Sequence, residues 1–247
     1  MATQSRSTTV SFEVPPESSS SCSGLRSGVD AAPTLSGLLS PTEGEIRIDG
    51  EPMIEPRPSV AMIFQQHNII GDMTAYSNSL SGGVHRSGFV SSVLQLQDTE
   101  EKHRALDALD TVGLLGEAEQ KARSMSGGQQ QRVGIARALV QQPNVLLADE
   151  PVASLDPGSA QSVMDYLRTA SDDRDLTTFC SLHQVNIARK FGHRFIGLRD
   201  GEKVFDGYRD DLTIDVIDDL YGDIDTKGMF VRDDGDGSGA TDEVVTT

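Results

Sequence analysis

Two adjacent carboxylates, Asp149 and Glu150, follow a short apolar run at residues 145–148. Such a run is typical of a buried parallel strand, whose C-terminal end faces a ligand crevice in an open α/β sheet. At that position one carboxylate can hold Mg²⁺ while its neighbour takes a proton from water. The simpler alternative is a helix N-cap before Pro151. We favour the chemical role, because adjacent carboxylates beside a buried strand are costly unless a cation or a proton transfer uses them.

A second stretch lies upstream, where Ser126, Gly127, Gly128, Gln129 and Gln130 open a helical pattern of apolar residues. A hydroxyl and glycine N–H groups at a helix N-terminus attract phosphate, because those amides lack partners within the helix and the helix dipole is positive there. Together with the two carboxylates farther along the chain, this stretch predicts the two parts of an ATP site. The pair therefore indicates an ATPase.

At these residues the chain resembles the nucleotide-binding subunits of ABC transporters, and five motifs follow one another in the family's order. The sequence at residues 147–157, 182–185 and 201–207 resembles in particular the ATPases of phosphonate importers. The five motifs are the Q-loop at Gln65, the signature loop at residues 126–130, the Walker B strand at residues 145–149 with Glu150 as the adjacent catalytic base, the D-loop at residues 154–156, and the switch histidine His183.

The resemblance implies an α/β fold, with a P-loop NTPase-like core and a helical subdomain, and it implies ATP and Mg²⁺ as cofactors. Glu150 would polarise the attacking water, and Asp149 would act through Mg²⁺. A lone glutamine or histidine more often has a structural role. Their places after apolar strands favour Gln65 and His183 as groups that organise the γ-phosphate, with Gln65 also contacting Mg²⁺. The residues implied in ATP binding are Ser126, Gly127, Gly128, Gln129, Gln130 and Asp156.

The resemblance also implies a homodimer in which two copies face each other head to tail, so that the signature loop of one closes over ATP bound to the other. Each chain would carry only half-sites. No apolar run approaches the roughly 20 residues of a membrane span, and the N-terminus lacks the regions of a signal peptide. We therefore expect a peripheral protein at the cytoplasmic face of the cell membrane, bound to permease subunits and served indirectly by a substrate-binding protein.

One motif of the family is missing: the P-loop, G-x-x-x-x-G-K-[ST], whose amides cradle the phosphates and whose lysine reaches the outer ones. Residues 1–60 contain no lysine. The P-loop should precede the strand-and-turn pattern at residues 43–50 by about twenty to thirty residues. A Ser-rich segment at residues 17–33 stands there instead. We therefore expect a disrupted N-terminal strand and P-loop region, with residues 1–33 as an aberrant or disordered segment.

We interpret this segment as the product of reading-frame errors in a P-loop gene. Back-translating residues 29–33 with a one-base shift yields Ser-Thr-Leu-Leu-Arg, which continues a P-loop after its lysine, and residues 18–22 shift into an apolar strand. Several insertions or deletions are required. A genuine flexible Ser-rich segment is the alternative, but it would delete the first strand of a sheet whose remainder is intact.

The elements that must position the candidate residues follow from hydrophobic periodicity. A second Ser-Gly-Gly, beginning at Ser81, has no glutamine after it, and we predict a turn or helix end there.

We place the ATPase domain at residues 34–230, its helical lobe near residues 70–130, and an acidic disordered tail at residues 231–247. Helices are predicted at residues 99–112 and 157–167, buried strands at residues 60–64 and 177–182, and two strands around a turn at residues 200–201.

The charge balance restricts the partners and the setting. Asp and Glu number 38 against 21 Lys and Arg, only five of which are Lys, and the net charge is −17. Nucleic acid is therefore not an expected partner. An Asp-rich, Lys-poor surface is typical of salt-in halophiles, in which molar salt screens self-repulsion; an ordinary acidic protein is the alternative. Two cysteines make no disulfide framework and fit a reducing cytosol.

Three functions remain open from the sequence. The first is the ATP-hydrolysing subunit that energises an importer of phosphonates or related oxyanions. The second is a catalytically defective remnant of such a subunit, which applies if the N-terminal segment is genuine. The third is a soluble ABC ATPase outside transport, which is disfavoured because such proteins usually carry two cassettes or a long coiled coil.

Overall fold

The structure is a computed structural model that describes residues 11–14, 31–41, 43–65, 68–86, 99–199 and 202–221. The α-helices are α1 (Ala31–Leu35), α2 (Ala75–Leu80), α3 (Thr99–Thr111), α4 (Gly127–Val140), α5 (Pro157–Asp173), α6 (Val185–Phe191) and α7 (Ile214–Tyr221). The strands are β1 (Arg47–Ile48), β2 (Glu51–Pro52), β3 (Val60–Ile63), β4 (Val145–Asp149), β5 (Thr177–Ser181), β6 (Arg194–Arg199) and β7 (Glu202–Tyr208).

Strands β3, β4 and β5 form a parallel sheet with β4 in the middle. Strand β3 and the first four residues of β4 are continuous apolar runs, as expected for parallel strands that are covered on both faces, and Leu146 and Leu147 of β4 are almost fully buried. In the register, Ile63 pairs with Ala148, and Ala148 pairs with Cys180. The three strands therefore end together, and the residues that follow them meet at one edge of the sheet.

Two antiparallel pairs flank this sheet. Strands β6 and β7 pair along their length with one irregularity at Gly197 and Leu198. Strands β1 and β2 are joined by Asp49 and Gly50, which both have positive φ, at 54° and 76°. An Asp-Gly pair suits such a two-residue turn, because both central positions require the left-handed region.

Helix α4 lies at the centre of the helical packing, against α2, α3 and α5. Its buried side includes Val133, Ile135 and Leu139, each with no exposed surface, and it joins the main apolar core. At its start, Ser126 and Gln129 form a capping box, which satisfies two amides that a helix N-terminus would leave unpaired. Helix α4 begins at Gly127, where the sequence predicts the start of the signature helix.

The predicted elements are confirmed where the structure describes them, with small changes of bounds. Strands β3 and β5 each end one residue earlier than predicted, and α5 continues beyond residue 167 to Asp173. The second Ser-Gly-Gly opens a 3₁₀ helix, Ser81–Arg86, directly after α2. The predicted tail at residues 231–247 and most of the N-terminal segment, residues 1–10 and 15–30, lie outside the described residues. No helix in the described ranges is long and apolar enough to cross a membrane.

Candidate functional site

The two carboxylates at the end of β4 are tied to the neighbouring strand by one hydroxyl. Ser181 Oγ accepts the backbone N–H of Glu150 at 2.9 Å and donates to Asp149 Oδ1 at 2.7 Å. Glu150 has a φ of 45°, in the left-handed region that non-glycine residues seldom adopt. The chain therefore turns sharply after Asp149, and the Ser181 hydroxyl stabilises that turn while it orients the Asp149 carboxylate.

Glu150 and His183 are in direct contact. His183 Nε2 lies within hydrogen-bonding distance of Glu150 Oε1, and the two side chains are 45% and 25% exposed. Ser181 is the last residue of β5 and His183 lies two residues beyond it, so the end of β5 and the segment that follows supply both contacts to the end of β4. Three predicted site residues, Asp149, Glu150 and His183, thus come together with one side of Glu150 open to water. We call them, with Ser181, the carboxylate cluster.

Gln65 is placed at the same edge of the sheet but not in this cluster. It lies two residues beyond the end of β3 and is exposed. Within the described residues, no hydrogen bond joins Gln65 to Asp149, Glu150 or His183. The structure therefore leaves its predicted contact with the γ-phosphate and Mg²⁺ as a prediction.

The two glutamines of the signature stretch make internal contacts in this chain. Gln129 Oε1 accepts the N–H of Ser126 at 2.9 Å, and Ser126 Oγ accepts the N–H of Gln129 at 3.3 Å. Gln130 Nε2 donates to the carbonyl oxygens of Ala122 and Met125 at 3.0 and 3.1 Å. These bonds hold the loop before α4 in shape, and Ser126 and Gly127 are exposed at the start of the helix.

Asp156 lies beside the signature stretch. It is the N-cap of α5, where its carboxylate accepts the N–H groups of Gly158 and Ser159 at 3.1 and 3.0 Å. These hydrogen bonds, chiefly those from Ser159, hold the pKa of Asp156 below its ordinary value. A Cβ on Gly128 would lie 3.0 Å from the Cβ of Ser159, so the glycine lets the two helix starts approach closely.

The starts of α4 and α5 border a polar cavity of about 330 Å³, whose lining includes Ser126, Gly128, Gln129, Asp156 and Ser159. The predicted residues therefore form two groups in one chain: the carboxylate cluster, and this second group at two helix N-termini. A hydroxyl and amides can bind an anion, whereas Asp149 and Glu150 suit a cation and a proton transfer.

Ser181 is a site residue that the sequence motifs do not single out. It lies in the predicted strand at residues 177–182, yet it bonds to the Asp149 carboxylate and to the backbone N–H of Glu150. The parallel register pairs Ser181 with Asp149, and a hydroxyl at that register position is the signal that would have identified it.

The model of the family described as ABC transporter matches residues 32–153. A Halobacterium salinarum protein named phosphonates import ATP-binding protein PhnC is 66% identical over 200 residues, which cover 81% of this chain and 71% of that protein. The chain belongs to the ABC transporter family. A Haloquadratum walsbyi protein, phosphonates import ATP-binding protein PhnC 2, is 59% identical over 195 residues, covering 79% of this chain and 69% of that protein. The family is one of ABC ATPases, so the predicted class of enzyme is confirmed.

Solved structures of the ATP-binding cassette MJ0796 share the fold. One is a dimer in a post-hydrolysis state with ADP and Pi; it is 31% identical, with a TM-score of 0.60, and covers 72% of this chain and 79% of that one. The other dimeric structure is 28% identical, with a TM-score of 0.66, and covers 79% of this chain and 88% of that one. The α/β, P-loop NTPase-like fold class is therefore confirmed, and the family binds ATP. Relatives from halophiles agree with the acidic, Lys-poor composition.

Proposed function

We propose that this chain is the ATP-binding and ATP-hydrolysing subunit that energises an ABC importer of phosphonates or related oxyanions. The contact between Glu150 and His183, beside an Asp149 that Ser181 holds in place, is the observation that carries the proposal. It supports the proposal because a carboxylate suited to act as a base, an imidazole beside it and a second carboxylate suited to a cation lie together at one edge of the sheet. The names of the two haloarchaeal relatives support phosphonates as the imported class.

In this mechanism Glu150 takes a proton from the attacking water and His183 orients Glu150 and the γ-phosphate. The donor set fits Mg²⁺, because this ion prefers oxygen ligands and is usually held by one or two carboxylates together with substrate phosphates. Asp149 would hold it, with Gln65 as a further oxygen ligand. When bound, the ion neutralises phosphate charge. Ser181 leaves Asp149 Oδ2 available for that contact, since it engages only Oδ1.

The second group supplies the other half of a composite site. Ser126, Gly127, Gly128, Gln129 and Gln130 would bind the γ-phosphate of ATP held by a second copy, through the amides and dipole at the start of α4. Asp156 at the start of α5 would line the same interface. Two copies would therefore pair head to tail, and a monomer would not turn over. The dimeric cassette structures that share the fold support this arrangement.

The proposed setting is the cytoplasmic face of the membrane, with permease subunits as direct partners and a substrate-binding protein as an indirect one. The acidic surface suits a cytosol of high ionic strength. We propose an ATPase domain over residues 34–230 with a helical lobe near residues 70–130. The specificity for the imported molecule would reside in the partner chains.

A second candidate, a catalytically defective remnant, is favoured by one observation: residues 1–60 contain no lysine to reach the outer phosphates. Loss of a single well-placed donor to a transition state costs about 3 kcal/mol, or roughly a hundredfold in rate. A P-loop supplies several such donors at once. We therefore expect this chain to hydrolyse ATP at least a hundredfold more slowly (~3 kcal/mol) than a version with a Gly-rich loop ending in Gly-Lys-Ser before Thr34, termed here the restored chain.

ATP affinity and turnover of both versions, measured in molar salt, test the proposal. The restored chain should bind and hydrolyse ATP, and its Glu150→Gln variant should bind ATP but hydrolyse it far more slowly. Equal activity of the two versions would show that the N-terminal segment is no defect. A restored chain that binds ATP yet has no Glu150-dependent turnover would contradict the assignment of the carboxylate cluster.

A further inference from the structure

The second Ser-Gly-Gly packs directly on helix α4. A Cβ added to Gly82 would lie 2.1 Å from the carbonyl oxygen of Arg137, and one added to Gly83 would lie 2.2 Å from the Glu101 carboxylate. No side chain fits at either distance, since atoms in contact are more than 3 Å apart. The two glycines therefore allow the 3₁₀ helix Ser81–Arg86 to sit against the C-terminal half of α4 and against α3.

Arg86, at the end of this 3₁₀ helix, joins α3 to the C-terminus of α4. Its Nε and Nη2 donate to the two carboxylate oxygens of Glu101, each at 2.7 Å. Its Nη1 donates to the carbonyl of Gln141 at 3.0 Å, and Nη2 also donates to that of Val140 at 2.5 Å. The last carbonyls of a helix lack intrahelical partners and lie at the negative end of its dipole. A guanidinium there donates hydrogen bonds to these carbonyls and places a positive charge beside that end of the dipole.

This pair is largely shielded from water. The side chains of Glu101 and Arg86 are 8% and 24% exposed, and Arg104 donates a further bond to Glu101 at 2.5 Å. The hydrogen bond from Arg86 is the main reason that the pKa of Glu101 lies below its ordinary value. Removal of Glu101 would leave the largely buried Arg86 without its carboxylate partner, which is destabilising, whereas removal of Arg86 would leave Glu101 with only the bond from Arg104.

Helix α4 connects this pair to the signature stretch. It has 14 residues, so it is a rod of about 21 Å, with Ser126 at one end and the Arg86 contacts at the other. A small rotation at the C-terminus displaces the N-terminus. A second anchor lies at the same end of the helix, where Gln141 Nε2 donates to the carbonyl oxygens of Pro58 and Val60, at the start of β3.

We propose that Arg86, fixed by Glu101, is a positioning residue for the signature stretch: it clamps the C-terminus of α4 and so sets where Ser126 and the first amides of the helix lie. This inference rests on the proposed function, because the position of the stretch matters through the composite ATP site. The two glycines are part of the clamp, which accounts for the second Ser-Gly-Gly at this position.

Two measurements test the clamp. The first is amide hydrogen exchange of α4 in the chain as written, without nucleotide. Arg86→Ala and Glu101→Gln should each speed exchange at residues 138–141 by about tenfold or more, and the double variant should add little to either. Arg168→Ala is the matched control, because the ion pair that Arg168 makes with Asp172 on α5, within the described residues, is exposed. Its exchange in α4 should equal that of the parent.

The second measurement is ATP turnover of the same variants in the restored chain. Arg86→Ala should lower kcat about tenfold and leave KM for ATP within about twofold, because the displaced group acts on nucleotide bound by the other copy. Unchanged exchange would overturn the clamp. Faster exchange with unchanged kcat would overturn the positioning role and leave a purely structural clamp. A restored parent without turnover would refute the proposed function and with it the positioning role, whereas exchange would still decide the clamp.

Discussion

The hydroxyl of Ser181 is the contact whose removal tests the carboxylate cluster most cleanly. Ser181→Ala leaves the N–H of Glu150 without its acceptor and removes a donor from the Asp149 carboxylate. A hydrogen bond to a charged group contributes about 1.5–3 kcal/mol, and a buried donor without a partner costs about 1–3 kcal/mol. Ser181 itself is 8% exposed, but water can reach the partly exposed carboxylates. We therefore expect a destabilisation of about 2 kcal/mol, which lies within each range and below their sum, because water can replace part of what is lost.

Denaturant unfolding in molar salt measures this change, and ATP turnover of the restored chain measures its functional part. Ser171→Ala is the matched control, since Ser171 is a buried serine with two hydrogen bonds, to Leu167 and to Thr178, which lies toward the other end of β5 from Ser181. Both variants should lose stability, but only Ser181→Ala should also lower turnover. A Ser181→Ala variant within about 0.5 kcal/mol of the parent, or with full turnover, would refute the role given to this hydroxyl.

Two further substitutions test the packing and the electrostatics. Gly113→Ala should destabilise the chain by about 2 kcal/mol or more in denaturant unfolding, because Gly113 has a φ of 65° and a Cβ there would lie 2.3 Å from the Tyr166 hydroxyl. Gly116→Ala is its control, since nothing lies within 4 Å of the Cβ position. This variant should stay within about 0.5 kcal/mol of the parent in the same experiment. The pKa of Glu101 is lowered from 4.5 in the folded state, so its contribution is present above that value and lost as the pH falls through the folded pKa. Glu101→Gln should therefore be less stable than the parent near pH 7, with a gap that narrows below pH 4.5; a gap independent of pH would contradict the ion pair.

The sequence alone sufficed for features that depend on local chemistry. The start of α4 at Gly127, the start of α5 at Pro157 and the apolar strand that ends at Asp149 all follow from residue types at fixed spacings. These signals lie within a few residues of the feature that they predict, and tertiary packing does not override them here.

Features that depend on the relative position of distant segments were not predicted. The Ser181 bridge requires the register of β5 against β4, and Arg86 and Glu101 meet only after α3 has packed beside the 3₁₀ helix. The sequence predicts a turn or helix end at the second Ser-Gly-Gly, and Ser81 is the C-cap of α2. The close packing of its glycines on α4 depends on the tertiary structure and was not predicted. The frame-error interpretation falls on residues that lie largely outside the described ranges and remains a prediction.

The composite site is the central claim, and mixing two inactive variants of the restored chain tests it most directly. Ser126→Arg blocks the signature stretch, and Glu150→Gln removes the base, so each variant alone should hydrolyse little ATP. In a head-to-tail dimer of one copy of each, one of the two sites combines an intact carboxylate cluster with an intact signature stretch. Random pairing should therefore restore about a quarter of the parent turnover. A mixture that stays as inactive as its two components would show that the two groups do not complete each other across copies, and would contradict the account.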